Sequence, residues 1–284
     1  MSNRYANYAG KFYPSDQNEL RLNIEKYLTP ESNQIYANTP DGQLITLPTK
    51  DIRPKAIIVP HAGYIYSGGV AGCAYSYLKN NLYDEVFILG VSHSSRVGNL
   101  VISDYQGWDT PLGTMEQSPR TVDLAKDNPD IFSINNTIHD NEHALEVQLP
   151  FIQTVLSENT KILPILVGAN SPRILANELI PLIGENDLLV VSTDLSHYYP
   201  NEVALKKDQS TIKAILNNQT DDIEEASKVN YQGDIEACGL YAVNILVQIA
   251  LQKNWDSRLI GYANSGTISG DMERVVGYGS ILYF

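Results

Sequence analysis

Three apolar runs, each handing over to a histidine beyond its end, constrain this chain more than any other feature. Ala56-Ile57-Ile58-Val59 leads to Pro60-His61, and Val86-Phe87-Ile88-Leu89 leads through Gly90-Val91-Ser92 to His93. Leu188-Leu189-Val190-Val191 leads through Ser192-Thr193-Asp194 towards His197. Short, continuous runs of branched apolar residues read as strands buried on both faces, the habit of parallel sheets. In such sheets ligands gather beyond the carboxyl ends of the strands. Three histidines in the same relative position therefore read as three edges of one site. Glycines at 63, 68 and 69 leave room for a ligand to approach the backbone after His61.

The rest of the chain supplies the covering layers. Asp16 followed by Glu19 forms a capping-box pattern, after which Leu20, Ile24, Tyr27 and Leu28 share one helical face. Pro30 ends that helix. Residues 31–53 are polar and irregular, except for Ile35-Tyr36 and Leu44-Ile45 on either side of Asp41-Gly42. That is a hairpin signal, so a surface excursion is expected at about 32–50. Further helices are expected near 68–79, 118–126, 141–157, 171–183, 201–216 and 235–251. Asp140 caps the third of these six, Leu145, Leu149, Ile152, Val155 and Leu156 face inward, and Pro150 predicts a kink or break. Residues 99–116 read as an antiparallel excursion. Strands at 56–59, 86–90, 162–167 and 187–192 alternate with the helices, and 258–263 and 275–284 close the sheet. This order implies one α/β domain over 1–284, with a mostly parallel central sheet covered by helices on both faces.

Composition narrows the function classes. A formal net charge of −13 argues against a surface that coats nucleic acid or docks on anionic membranes, both of which need clustered Lys and Arg. The N-terminal residues carry no apolar signal region, and no apolar stretch reaches the roughly 20 residues of a membrane helix. Two cysteines, Cys73 and Cys238, are too few for a secreted disulfide framework. The expectation is a cytoplasmic protein with free thiols and a small-molecule ligand in the strand-end cleft.

His61, His93, Asp194 and His197 share the strand-end position, and His143 lies near a helix start. Cys238 is expected to open the buried 235–251 helix, whose N-terminus would favour its thiolate. Each has a bland explanation when taken singly: a lone strand-end histidine is more often structural, and free cysteine packs as a small hydrophobe. Cys73 fits that description, His139 reads as a solvent-exposed loop residue, and Glu142 with Glu146 reads as a solvated helix face. Two chemistries suit the cluster. His61, His93 and one thiolate or carboxylate can hold a metal with positions open for substrate. Alternatively, Asp194 orients His197 as a general base, the two lying side by side on one helical turn. Ser192, Ser196 and Cys238 are candidate nucleophiles, but none sits in a nucleophile elbow. The metal reading needs fewer coincidences.

Seven segments, in one order along nearly the whole chain, carry a family resemblance. They are Tyr8-Ala9-Gly10-Lys11-Phe12-Tyr13-Pro14, the 59–68 stretch around His61, Gly90-Val91-Ser92-His93, the 142–151 stretch from Glu142 to Phe151, Ser192-Thr193-Asp194-Leu195-Ser196-His197, Glu236-Ala237-Cys238-Gly239 and Gly261-Tyr262-Ala263-Asn264-Ser265-Gly266. Together they resemble the Memo family, also called AmmeMemoRadiSam system protein B; the 32–50 excursion lies outside the match. The resemblance implies a fold similar to the class III extradiol dioxygenases, which hold non-haem Fe(II) between two histidines and a glutamate. Carried over, His61 and His93 take the histidine positions, Cys238 takes the carboxylate position, and His197 with Asp194 beside it matches the acid/base histidine. Glu236 ranks second for the third ligand. Iron or copper is the implied cofactor, with zinc as a further option, and a pathway link to a radical-SAM protein and an AMMECR-type protein is implied. A redox enzyme follows as the first expectation, with a non-catalytic scaffold or a metal-assisted hydrolase as alternatives. The thiolate is a departure from the dioxygenase pattern, so ring cleavage does not follow from the fold.

Overall fold

The structure is a computed structural model that describes residues 2–49, 51–229 and 233–284. From the N-terminus the chain forms α1 (Gln17–Tyr27), α2 (Pro30–Ile35), β1 (Ala56–Val59), α3 (Tyr64–Tyr75), β2 (Glu85–Gly90), β3 (Leu100–Ile102), β4 (Gly107–Thr110), β5 (Gly113–Glu116), α4 (Thr121–Asp127), β6 (Phe132–Ile134) and α5 (Asn136–Asp140). It continues through α6 (Leu149–Val155), β7 (Lys161–Val167), α7 (Pro172–Leu179), β8 (Leu188–Ser192), β9 (His197–Tyr199), α8 (Asn201–Leu216), α9 (Thr220–Lys228), α10 (Leu240–Lys253), β10 (Ser257–Asn264), α11 (Gly266–Ser269) and β11 (Val275–Tyr283).

Four parallel strands in the order β1-β8-β2-β7 form the middle of a nine-stranded sheet. On one side β11 and β10 extend it antiparallel, and on the other β3 runs antiparallel to β7 with β6 parallel beyond it. β9 pairs with β11 off this path. The three histidine-bearing runs are thus neighbours. Ser192, the last residue of β8, pairs with Val59 of β1 on one side and with Gly90 of β2 on the other. One level of the sheet therefore releases all three loops together.

Alternation along each strand divides the core. Ile58, Phe87, Leu89, Leu189 and Val191 pack with apolar residues of α7, α8, α9 and α10. Ile57, Val59, Val86, Ile88 and Val190 pack on the opposite face with residues of α1, α3 and α6. Both faces are covered, as the unbroken apolar runs require. Among the described residues no helix is long and apolar enough to cross a membrane.

The structure departs from the sequence expectations where polar residues make long-range bonds. The expected 141–157 helix is much shorter: α5 ends at Asp140, 141–145 lies outside any helix, Glu146–Gln148 is a single 3-10 turn, and α6 starts at Leu149 with Pro150 in its first turn. Proline fits a first turn because it has no N–H to leave unpaired, so Pro150 begins a helix instead of kinking one. Glu142 and Glu146 consequently share no solvated face; they are 1% and 0% exposed. His139 is also buried, its Nε2 donating to Val101 O at 3.1 Å and its ring set edge-on to Trp108. Pro30 likewise opens α2 behind a Thr29 cap, so Ile35 ends a helix and the expected hairpin shrinks to one antiparallel bridge, Asn38 to Leu44. α10 starts at Leu240, because the Glu236 and Cys238 N–H groups bond Thr211 Oγ1 and Asp194 O outside any helix. The short elements β6, β9, α5 and α9 had no sequence signal.

Candidate metal centre

Three loops bring His61, His93 and Cys238 together at the carboxyl ends of β1, β8 and β2, with ligand atoms all within 4.8 Å of one another. Pro60-His61 leaves β1, and Val91-Ser92-His93 leaves β2. Cys238 arrives from 236–239, which docks on the end of β8. The Cys238 N–H donates to Asp194 O at 3.2 Å, and the Gly239 N–H donates to Thr193 Oγ1 at 2.9 Å. Glycine is needed at 239, since a Cβ there would stand 2.9 Å from the Thr193 side chain and 3.1 Å from Ser192 O.

The hydrogen bonds behind the rings fix which nitrogen faces inward. Ser192 Oγ donates its one proton to Ala144 O at 2.6 Å and accepts from Gln148 Nε2 at 2.9 Å. At the third contact, His61 Nδ1 at 3.0 Å, the hydroxyl can only accept, so Nδ1 carries the hydrogen. His93 Nδ1 lies 2.9 Å from Glu142 Oε1, an acceptor, and is protonated for the same reason. Both rings therefore turn Nε2 to the centre, and His61 Nε2 lies 3.2 Å from Cys238 Sγ. Backing of this kind fixes tautomer and orientation in metal sites. The rings also have suitable spacing: their centroids are 5.2 Å apart at 89°, and two imidazoles bonded at about 2.1 Å with a tetrahedral angle put their centroids about 5.2 Å apart. A thiolate and two imidazoles in this arrangement fit a first-row transition metal.

Electrostatics agree with the geometry. Burial acts to lower the His61 ring, but the Cys238 thiolate and the Asp194 carboxylate outweigh it and raise it to about 9. Burial likewise opposes His93, whose bonds to Cys238 and Glu142 carry it up to about 10. Burial would raise the Cys238 thiol; the two imidazoles hold it down to about 5. The Asp194 N–H, 3.3 Å away, donates to the sulfur as well. The thiolate is thus favoured by the rings and a loop N–H, and not by the helix end that the sequence suggested. A thiolate between two imidazoliums is the proton-loaded form of a metal site, from which a cation displaces the Nε2 protons.

The other sequence candidates take separate positions. Asp194 Oδ1 accepts the N–H groups of His61 at 2.8 Å and Ala62 at 3.3 Å, which fixes the loop that carries His61. The 194–197 stretch is not a helical turn: His197 opens β9 and its N–H donates to Glu236 Oε1 at 3.1 Å. Glu236 is buried, pairs with Lys207 at 3.1 Å and joins neither ligand group. Ser192 is a support for His61, since each of its hydroxyl contacts is committed. Cys73 is buried in the core. His143 reaches the centre from the far side, its ring 4.7 Å from His93 and 5.3 Å from His61. Burial and the His61 charge lower it to about 4, so it is neutral near pH 7.

Glu142, Gln148 and Glu146 are the supporting residues that sequence reasoning missed. Glu142 Oε2 accepts the His93 N–H at 2.5 Å while Oε1 accepts its ring. Glu146 ties the N-terminal segment beneath the centre, accepting from Arg4 Nη1, the Tyr8 N–H and Tyr13 Oη. Arg4 is itself buried, 4.3 Å over the Trp108 ring, and Phe12, farther along the same segment, stacks on His143 at 4.2 Å. The available signal was density: Glu142-His143-Ala144-Leu145-Glu146-Val147-Gln148 puts four polar side chains into a segment whose remaining residues are apolar.

A cleft of about 520 Å³ opens onto the centre, lined by Ser92, His93, Arg96, Lys228, Cys238 and Tyr241 among others. The model of a family described as Memo-like protein matches residues 4–282. A MEMO1 family protein of Desulfurococcus amylolyticus is 32% identical over 292 residues, covering all of both chains. One of Methanopyrus kandleri is 33% identical over 288 residues, with 97% of this chain and 96% of that protein covered. Among solved structures, an uncharacterized protein from Escherichia coli K12 superposes with a TM-score of 0.51 at 12% identity, over 81% of this chain and 99% of that one. This last likeness concerns the fold alone.

Proposed function

The chain belongs to the Memo-like family, and we propose that it is a metal-dependent redox enzyme acting on a small molecule, with iron or copper held by His61, His93 and Cys238. The observation that carries this reading is the orientation of the two imidazoles. Ser192 and Glu142 occupy both Nδ1 positions, so both Nε2 atoms are left to a cation beside the Cys238 sulfur. Three protein donors are the ligand count of a catalytic centre, which keeps a position for substrate, whereas structural sites close with four. A thiolate is softer than a carboxylate and favours copper(I) or thiolate-bound iron, with zinc compatible. When bound, such a metal supplies electron transfer and polarises whatever takes the open position.

The protein's own residues have distinct roles in this proposal. Asp194 is a positioning residue that acts through the backbone of His61 and Ala62. His197 takes the proton-handling role that the resemblance implies for it. The cleft admits the small molecule past Arg96 and Lys228. The likeness to the class III extradiol dioxygenases that the sequence motifs imply makes oxygen-dependent chemistry the first class to examine, and a pathway shared with radical-SAM and AMMECR-type proteins belongs to the same proposal. The test is metal analysis of protein purified without a tag. Wild type is expected to carry close to one iron or copper at this centre and a His61→Ala/His93→Ala double variant far less. Equal trace metal in both would remove the assignment.

A further inference from the structure

His93 stands between two donor sets. Its Nε2 faces His61 and Cys238, and its Nδ1 lies 2.9 Å from Glu142 Oε1. The same carboxylate oxygen lies 3.3 Å from His143 Nδ1. Ligand atoms of His93, Glu142 and His143 all fall within 4.8 Å of one another, a group separate from the thiolate centre except for the shared ring. Orientation of His93 accounts for Glu142 but not for His143. The His143 ring is held between Phe12, 4.2 Å away, and His93, 4.7 Å away and within 18° of parallel. Its Nδ1 approaches the buried oxygen at an ion-pair distance without making an aligned hydrogen bond. Two imidazole nitrogens gathered around one buried carboxylate oxygen, with His93 itself open to solvent, are a donor set for divalent first-row cations.

We infer that His93 Nδ1, Glu142 and His143 form a second cation position, for a divalent ion such as zinc(II) or iron(II), next to the thiolate centre. It goes beyond the proposed redox centre, and differs from it in softness: two nitrogens and an oxygen against two nitrogens and a thiolate. With both positions filled, the cation replaces the proton on His93 Nδ1, which is released to solvent, and the ring bridges the two ions as imidazolate. Charge is accommodated, because Glu142, the imidazolate and the Cys238 thiolate offset three of the four positive charges.

The experiment is zinc stoichiometry on the full chain, stripped by chelator and dialysed against dilute zinc chloride. Wild type is expected to hold two zinc ions, His143→Ala one, Cys238→Ala one, and the double variant neither at comparable affinity. One zinc in wild type, or two retained by His143→Ala, overturns the second position. Failure of the thiolate centre has a different signature, since Cys238→Ala would then keep the wild-type complement. Cobalt(II) titration of wild type reads the same point without a variant. One bound equivalent should bring thiolate-to-cobalt absorption and the other should add none; thiolate absorption that grows over both equivalents overturns the proposal. Should His143→Ala fail to fold, an anomalous map of zinc-grown wild-type crystals decides. Two peaks, one between His93 and Glu142, are expected, and a lone peak beside Cys238 overturns it.

Discussion

Metal binding at the thiolate centre should displace two protons at neutral pH, and this count tests the electrostatic ordering directly. With His61 raised to about 9 and His93 to about 10, both Nε2 protons are bound throughout the range below 9. With Cys238 lowered to about 5, the thiol proton is already gone above 5. Between those limits log K should rise by about 2 per pH unit, a 100-fold change or about 2.7 kcal/mol per unit. Below about 5 the thiol competes as a third proton, and above about 9 the slope falls to one and then to zero. Ordinary values of 6.5 for histidine and 9.0 for cysteine would instead give one displaced proton at pH 7.5, that of the thiol. Zinc titration calorimetry of His143→Ala, repeated in buffers of different ionisation enthalpy at pH 7.5, counts the protons with only the thiolate centre filled. Chelator competition at pH 6, 7 and 8 gives the slope independently. One proton per zinc, or a slope near one, would refute the thiolate–imidazolium arrangement.

Three further outcomes follow from the buried polar groups. Glu142→Gln should weaken zinc binding at the thiolate centre by about 10- to 100-fold, the usual effect of removing a ligand's supporting partner, and unchanged chelator competition would mean that the carboxylate does not hold His93. Arg4→Met should cost about 3–5 kcal/mol in urea denaturation, because it strands the buried Glu146 charge; a loss under about 1 kcal/mol would make the N-terminal tie dispensable. Asp208 is fully buried, and burial raises its carboxyl to about 6 from 3.8 despite donors from Tyr262 and Ser196. A carboxyl raised in the folded state favours the protonated form, so its penalty is present above pH 6 and relieved as pH falls towards 4, by up to about 3 kcal/mol. Asp208→Asn should flatten the melting-temperature profile between pH 4 and 7, and a profile parallel to wild type would contradict this.

The parallel core was legible because its signal is local. A strand buried on both faces must be apolar at every position, and Ile57, Val86 and Val190 announce that without reference to any partner. The ends of helices were less legible, for a physical reason. Ahead of Pro150 the Ala144 and Val147 carbonyls accept from Ser192 and Tyr64, and at Glu236 the N–H donates to Thr211, partners far away in sequence that no window of neighbours contains. His139 and Glu146 were misread for the same reason. A polar side chain reads as exposed unless its partner is known, and the partners here, Val101 O for one and Arg4 for the other, lie 38 and 142 residues distant.

The centre divides along the same line. His61 and His93 were readable because strand ends are where side chains can meet a ligand, whereas Cys238, a candidate thiolate from its place near an expected helix start, was singled out as the third ligand only through family resemblance, and its helix begins beyond it at Leu240. What decides their chemistry is another matter. Ser192 is one hydroxyl with one proton, and its donation to Ala144 O leaves it only acceptance at His61 Nδ1, which in turn fixes Nε2 towards the sulfur. Glu142 imposes the same order on His93. Neither constraint is visible in a list of ligands, yet reversal of either would turn a hydrogen inward and block the cation. The thiolate centre is therefore specified as much by the acceptors behind the imidazoles as by the imidazoles themselves, and substitutions at Ser192 or Glu142 should change metal affinity there without removing any of its three ligands.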